Sequence, residues 1–158
     1  MTFKLGIRIL LSIGICFFIG FMGNLATQSS IGDWYPSLNK PWFNPPNWFF
    51  GPVWTVLYIL MGISAGIVWN KGFYHKWVKI ALYHFAFQLL LNGFWSLLFF
   101  GLKEPFFALL DIIALFIILL LTIKWFKVVS ESAAYLLIPY AVWVLFAAVL
   151  NFEIWRLN

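Results

Sequence analysis

Charge is scarce in this sequence. Of 158 residues only 9% are Asp, Glu, Lys or Arg, against roughly 25% in a soluble domain, which excludes an ordinary water-solvated surface. Cysteine is nearly absent: Cys16 stands alone in an apolar run, so neither an intrachain disulfide nor a cysteine-based metal centre is available. Only two histidines occur, without His-x-x-x-His spacing, and no carboxylate pair or Ser/His/Asp set accompanies them. His75 lies in a basic loop and reads as solvated. His84 has the chemistry to ligate a haem iron, but a lone histidine on a mixed helix face is more often a hydrogen-bonding core residue. The net charge of +5 is no nucleic-acid footprint, because the cations are scattered between apolar runs instead of clustered. Internal repeats, low-complexity tracts and a soluble domain are also missing.

What the chain has in abundance is apolar sequence, 64% of the total. Five runs, at about 5–26, 48–69, 77–99, 105–123 and 133–155, approach the roughly 20 residues that a bilayer core demands. Lipid offers no partners to backbone amides, so the expectation is helices, and no alternating ten-residue pattern points to a barrel. The fold class is therefore an all-α integral membrane bundle of five transmembrane helices, in one membrane domain over 1–158, with a long structured first loop over about 27–47. Lys4 and Arg8 before the first run resemble the start of a signal peptide, but the run ends in Gly23-Asn24-Leu25-Ala26 without a cleavage pattern and reads as a span. The expected connections are 70–76, 100–104 and 124–132. With five spans, Lys4, Arg8, Lys71, Lys76, Lys79, Lys124 and Lys127 share one side, and Lys40, Lys103 and Arg156 the other. Seven against three puts the N-terminus in the cytoplasm of a multi-pass cell-membrane protein.

The segment from Trp34 to Trp54 holds four of the ten tryptophans and five of the seven prolines. Pro36, Pro41, Pro45, Pro46 and Pro52 fix φ and remove donors, so no long helix is expected before about Pro52. An interfacial aromatic belt accounts for one or two tryptophans. Four of them on a proline-stiffened segment favour a structured lid over a pocket, with Trp34 and Trp42 as lid residues.

Polar groups inside the spans each need a reason. His84, Gln88, Asn92 and Trp95 recur at i, i+4, i+8 and i+11 with Ser96 beside them, a stripe on one helical face that points into the bundle. It reads equally as interhelical glue or as the polar wall of a cavity. In the fifth span Pro139, Trp143, Ala147 and Asn151 recur every four residues, with Tyr140 one position round. Pro139 frees a carbonyl and kinks the helix, and small Ala147 beside Trp143 makes a notch open to helix packing or to a flat aromatic ligand. The second span carries Trp54, Tyr58, Gly62, Ala65 and Trp69, and Gly62-x-x-x-Gly66 reads as close helix packing within or between protomers. Asp111 is the one carboxylate well inside a span, protonated or paired through another helix.

Taken together, Trp34-Tyr35-x-x-Leu38-x-Lys40-Pro41-x-x-x-Pro45-Pro46, Trp54, Gln88-x-x-x-Asn92-x-x-Trp95-Ser96 and Pro139-Tyr140-x-x-Trp143-x-x-Phe146-Ala147-x-x-Leu150-Asn151 resemble the translocator protein family, also called tryptophan-rich sensory proteins. The match runs in order over essentially the whole chain. The resemblance implies a five-helix bundle, commonly a homodimer, whose first long loop closes a ligand cavity. It implies porphyrins, protoporphyrin IX above all, as ligands, with isoquinoline carboxamides and benzodiazepines as synthetic ones. No cofactor is implied beyond porphyrin as ligand or substrate, and the expected partners are the lipid bilayer, porphyrin and a second copy of the chain. Some bacterial members have been assigned a light- and oxygen-dependent porphyrin-degrading activity that depends on cavity tryptophans, which Trp54 and Trp143 match as catalytic candidates. Asn92, Trp95 and Ala147 fall on ligand-pocket positions, and Trp34, Trp42, Tyr58, Gln88, Tyr140 and Leu150 complete the expected ligand-binding set.

One departure bears on the ligand. The animal sterol motif needs a tyrosine near the end of the fifth helix, and this chain has Phe152 there, followed by Glu153. Sterol is thereby disfavoured, and a bacterial member expected. The leading function is a porphyrin-binding receptor or sensor, since a flat π-system stacks on indole faces in an apolar cavity. The alternatives are a porphyrin-degrading enzyme and a porphyrin or lipid transporter. Against the last, the chain has no inverted repeat or ion-coupling pair.

Overall fold

A computed structural model describes residues 2–158, and all regular structure among them is helical. Five helical stretches are long and apolar enough to cross a membrane. The first is α1, Phe3–Gln28, capped by the Thr2 hydroxyl, which accepts from the Leu5 amide. After a short helix α2, Trp34–Ser37, comes α3, Asn47–Asn70. Helix α4, Lys76–Ser96, runs on through a π-helical turn, Leu97–Gly101. Helix α5, Pro105–Val129, has its proline in the first turn, where no amide donor is needed. The last span is broken into α6, Glu131–Leu136, and α7, Ile138–Leu157.

The helices form a ring: α1 packs on α3 and α4, α4 on α5, and α5 on α7, while α6 closes the ring against α3. The tightest seam is α1 on α3. A Cβ built on Gly62 would lie 2.5 Å from the Ile13 Cα, and one on Gly66 2.6 Å from the Ile9 Cα. Bare glycine thus lets two backbones touch, the packing that suits helices in lipid, where apolar contact alone gives no drive to associate. The Gly62/Gly66 pair serves packing within this chain.

Four element boundaries differ from those expected. Helix α3 begins at Asn47, five residues ahead of Pro52, because Pro46 in extended conformation supplies the N-cap position and Pro52 costs only one intrahelical bond, to Trp48. The first loop is shorter than 27–47, since α1 continues to Gln28 and α2 forms inside the loop. No 124–132 connection exists: α5 runs to Val129, with Lys124 and Lys127 on its last turns, and Ser130 alone separates it from α6. Long cationic side chains extend a span beyond its apolar run by reaching the interface. The kink at Pro139 is a full break. Leu137 turns back to the Ala134 carbonyl, and α7 restarts with Pro139 in its first turn.

That break has a consequence for the interior. Below it, α6 sits hard against α3, with the Ser64 hydroxyl donating to the Ala133 carbonyl at 2.6 Å. Above it α7 parts from α3, and aromatic side chains of both helices enter the space between them.

Candidate functional site

The space is a cavity of about 380 Å³, within the size range of small-ligand sites. Its walls come from α1, α3, α4 and α7, and its roof from the first loop and the π turn. Trp54, one turn above Tyr58 on α3, stacks on that tyrosine at 5.4 Å and 28°. Trp143 on α7 meets Trp54 edge to face at 6.4 Å and 90°. Phe49, Phe50 and Phe146 surround Trp143 further, and its buried indole nitrogen has no hydrogen-bond partner. Trp95 on α4 lies flat on Phe99 at 5.1 Å and 21°. Its indole N–H donates to Asn151 Oδ1 at 2.9 Å, and Asn151 in turn donates to the Pro105 carbonyl, which ties α4, α5 and α7 together.

Asn92 forms the floor. Its Oδ1 accepts from the Tyr58 hydroxyl at 3.0 Å, and its Nδ2 donates to the Tyr140 hydroxyl at 2.6 Å. The two tyrosines it holds flank Trp54, Tyr58 in a stack and Tyr140 at 6.3 Å edge-on. One buried amide therefore fixes the orientation of a cavity tryptophan through two rings. Buried polar groups with every bond made rigidify a core in this way.

The roof is the loop 29–46, and it is anchored. The Ser30 hydroxyl donates to the Phe100 carbonyl of the π turn. Tyr35 is buried against Phe99 and Phe100, and its hydroxyl donates to Asn44 Oδ1 at 3.1 Å across the loop. Burial pushes the Tyr35 phenol above its ordinary range, partly offset by the Asn44 bond, so it stays a neutral donor. The Lys40 ammonium sits 4.8 Å over the same ring. At the far edge Asn39 and Asn158 bond reciprocally: Asn39 N to Asn158 Oδ1 at 3.0 Å, and Asn158 Nδ2 to the Asn39 carbonyl at 2.9 Å. The exposed residues Asn24 and Gln28 of α1 and Asn47 and Gly51 of α3 lie along the cavity's rim.

Of the residues singled out from sequence, Trp54, Tyr58, Asn92, Trp95, Trp143, Ala147 and Leu150 line this one cavity. Four others do not. Trp42 is 95% exposed, carried outward at the tip of a turn closed by Asn44 N bonding to the Pro41 carbonyl. Trp34 packs behind the wall on Phe99 at 5.7 Å. Tyr140 is buried beneath Asn92, and Gln88, a turn deeper, is fully buried with neither amide atom partnered. The α4 stripe therefore divides: Asn92, Trp95 and Ser96 meet the cavity, whereas the His84 ring bonds to its own helix at Ile80 and lies beside Trp125. Asp111 is buried with Oδ2 unpartnered. The sequence reading overlooked the contribution of α1, where Gly20, Gly23, Asn24 and Thr27 line the cavity. The signal was there: polar Asn24, Thr27 and Gln28 crowd one end of an otherwise apolar helix.

The TspO/MBR family profile matches residues 12–156. The chain belongs to the TspO/MBR family. It is 50% identical over 141 residues to the "Tryptophan-rich protein TspO" of Archaeoglobus fulgidus, covering 89% of this chain and 90% of that one. It is 44% identical over 148 residues to the protein of the same name from Chlorobaculum tepidum, covering 94% of each. The human "Translocator protein" is 40% identical over 141 residues, with 87% of this chain and 82% of that one covered. This member of the family is thus a multi-pass membrane protein with five helical stretches long and apolar enough to span.

Proposed function

We propose that this TspO/MBR protein is a receptor for planar tetrapyrroles, bound in the cavity under the first loop, with isoquinoline- and benzodiazepine-type molecules as further ligands. The observation that carries the reading is the convergence of Trp54, Trp95 and Trp143 with Asn92 and Asn151 on one cavity. Indole faces supply stacking area to a flat aromatic ring. The N-terminus would face the cytoplasm. Arg8 bonds to Asn70, and Trp77 of α4 stacks on Trp125 of α5 at 5.5 Å, so the cation-rich ends of the helices lie together.

The test is a titration of protoporphyrin IX into the purified chain, followed by absorbance and tryptophan quenching. Ala147→Thr puts a branched hydroxyl in the notch beside Trp143 and is expected to weaken binding by about 1 kcal/mol or more. Unchanged affinity in a variant with parental helicity would remove this cavity as the site.

A second reading, light-driven porphyrin degradation, is favoured by the perpendicular contact of Trp54 with Trp143. A photoexcited porphyrin would take an electron from an indole ring beside it, and molecular oxygen would be the oxidant consumed as the macrocycle is degraded.

A further inference from the structure

On the opposite half of the bundle from the aromatic cavity, small side chains leave a second space. Ser12 of α1, Ala65 of α3 and Ala86 of α4 meet where bulkier residues would fill the junction of the three helices, and an apolar slot of about 190 Å³ results. Its floor is buried Ala65, Phe85 and Leu89, and its outer edges are the exposed Ile15 and Ala86. The slot therefore opens sideways, towards lipid tails.

Trp69 walls this slot, and its ring also carries the Arg8 guanidinium, 5.7 Å from the centroid. Arg8 is fixed there by Asn70, whose Oδ1 accepts from Nη1 at 2.9 Å. Among the described residues Nε and Nη2 have no acceptor, so part of the planar fork that suits phosphate stays available. Lys4, Lys71, Lys76 and Lys79 lie on the same end of α1, α3 and α4. Glu131, on α6, is the acid at this end; Asp33, Glu104 and Glu153 belong to the other.

An apolar slot one helical turn from a preorganised arginine matches a molecule with a chain and an anionic head. We propose that the α1/α3/α4 junction is a binding site for an anionic glycerophospholipid, one acyl chain lying in the slot and the phosphate on Arg8. The site is separate from the aromatic cavity and does not depend on what that cavity binds.

The experiment uses the full chain in phosphatidylcholine nanodiscs containing trace spin-labelled phosphatidylglycerol or phosphatidylcholine, with the motionally restricted fraction read by electron paramagnetic resonance. Phosphatidylglycerol is expected to be retained in preference. Arg8→Gln should cut that preference roughly fivefold, about the contribution of one basic residue at a membrane surface, and leave phosphatidylcholine unchanged. Lys127→Gln removes a cation from the same end on α5, outside the slot, and should change the preference less than twofold. Ala86→Phe adds a ring at the lipid-facing edge without disturbing the packed core and should reduce restricted lipid of both kinds. Equal losses from Arg8→Gln and Lys127→Gln would reduce the effect to general surface potential and overturn the site. An unaltered restricted fraction in Ala86→Phe would overturn the slot, and it remains decisive if Arg8→Gln fails to fold.

Discussion

Phenylalanine in place of Trp54 or Trp143 keeps a flat ring and most of the stacking area but removes the indole N–H and its lower oxidation potential. Porphyrin affinity is therefore expected to stay within a few-fold of the parent in Trp54→Phe and Trp143→Phe. If the degradation reading holds, light-driven loss of porphyrin absorbance falls sharply in each. The double variant should be little worse than the more damaging single, because the two rings meet edge to face at 6.4 Å and residues acting as one unit are not additive. Bleaching at the parental rate in the double variant would mean photosensitised oxidation in solution and leave only binding. At this scale the sequence was informative where spacing encodes a face. Asn92 and Trp95, and Trp143 and Ala147, were legible as pairs sharing a helical face because three- and four-residue intervals force them to one side; spacing left packing and cavity wall equal, and the family resemblance supplied the cavity. Gln88 obeys the same spacing yet lies a turn too deep, since periodicity gives direction around a helix and not depth along it.

Helix contacts depend on what is missing as much as on what is present. A methyl at Gly62 or Gly66 would strike the α1 backbone at Ile13 or Ile9, and backbone cannot rotate away as a side chain can. Gly62→Ala and Gly66→Ala are expected to destabilise the bundle by about 1–3 kcal/mol or more. Gly14→Ala, with nothing within 4 Å of the new methyl, should be neutral or slightly stabilising through helix propensity. Thermal unfolding in detergent compares the three, and equal midpoints would deny the seam its role. Five spans were legible because hydropathy and length fix them. Their ends were not: α5 outran its apolar run by snorkelling lysines, and α3 tolerated Pro52 near its start, where one absent donor is cheap. The Pro139 break was legible as a kink, but not the divergence of α7 from α3 that it produces, because that depends on where α6 docks.

For the whole molecule, the three spans between them place the first loop and the α5–α6 connection on opposite faces of a membrane. Single cysteines at Ser37 and Ser132, both exposed, in a Cys16→Ser background should react with an impermeant maleimide from opposite sides of a sealed vesicle. Labelling from outside the cell at position 37 alone would also fix the N-terminus as cytoplasmic. Reaction of both from one side would contradict the five-span arrangement.

The loop that roofs the cavity is held by bonds within the chain itself. Prolines at 36, 41, 45 and 46 limit its conformers, and it is tied to the π turn at Ser30, to itself through Tyr35 and Asn44, and to the chain terminus at Asn158. A cover ordered in advance adds little entropic penalty when a guest arrives, so its influence on equilibrium affinity is small. Its influence on time is large. A molecule passing through the roof must part several ties at once, and that barrier slows entry and departure alike. If the cavity takes a guest as proposed, a cover of this kind would act as a clock for passage through the roof: it would set how long the guest stays without setting how strongly it is held.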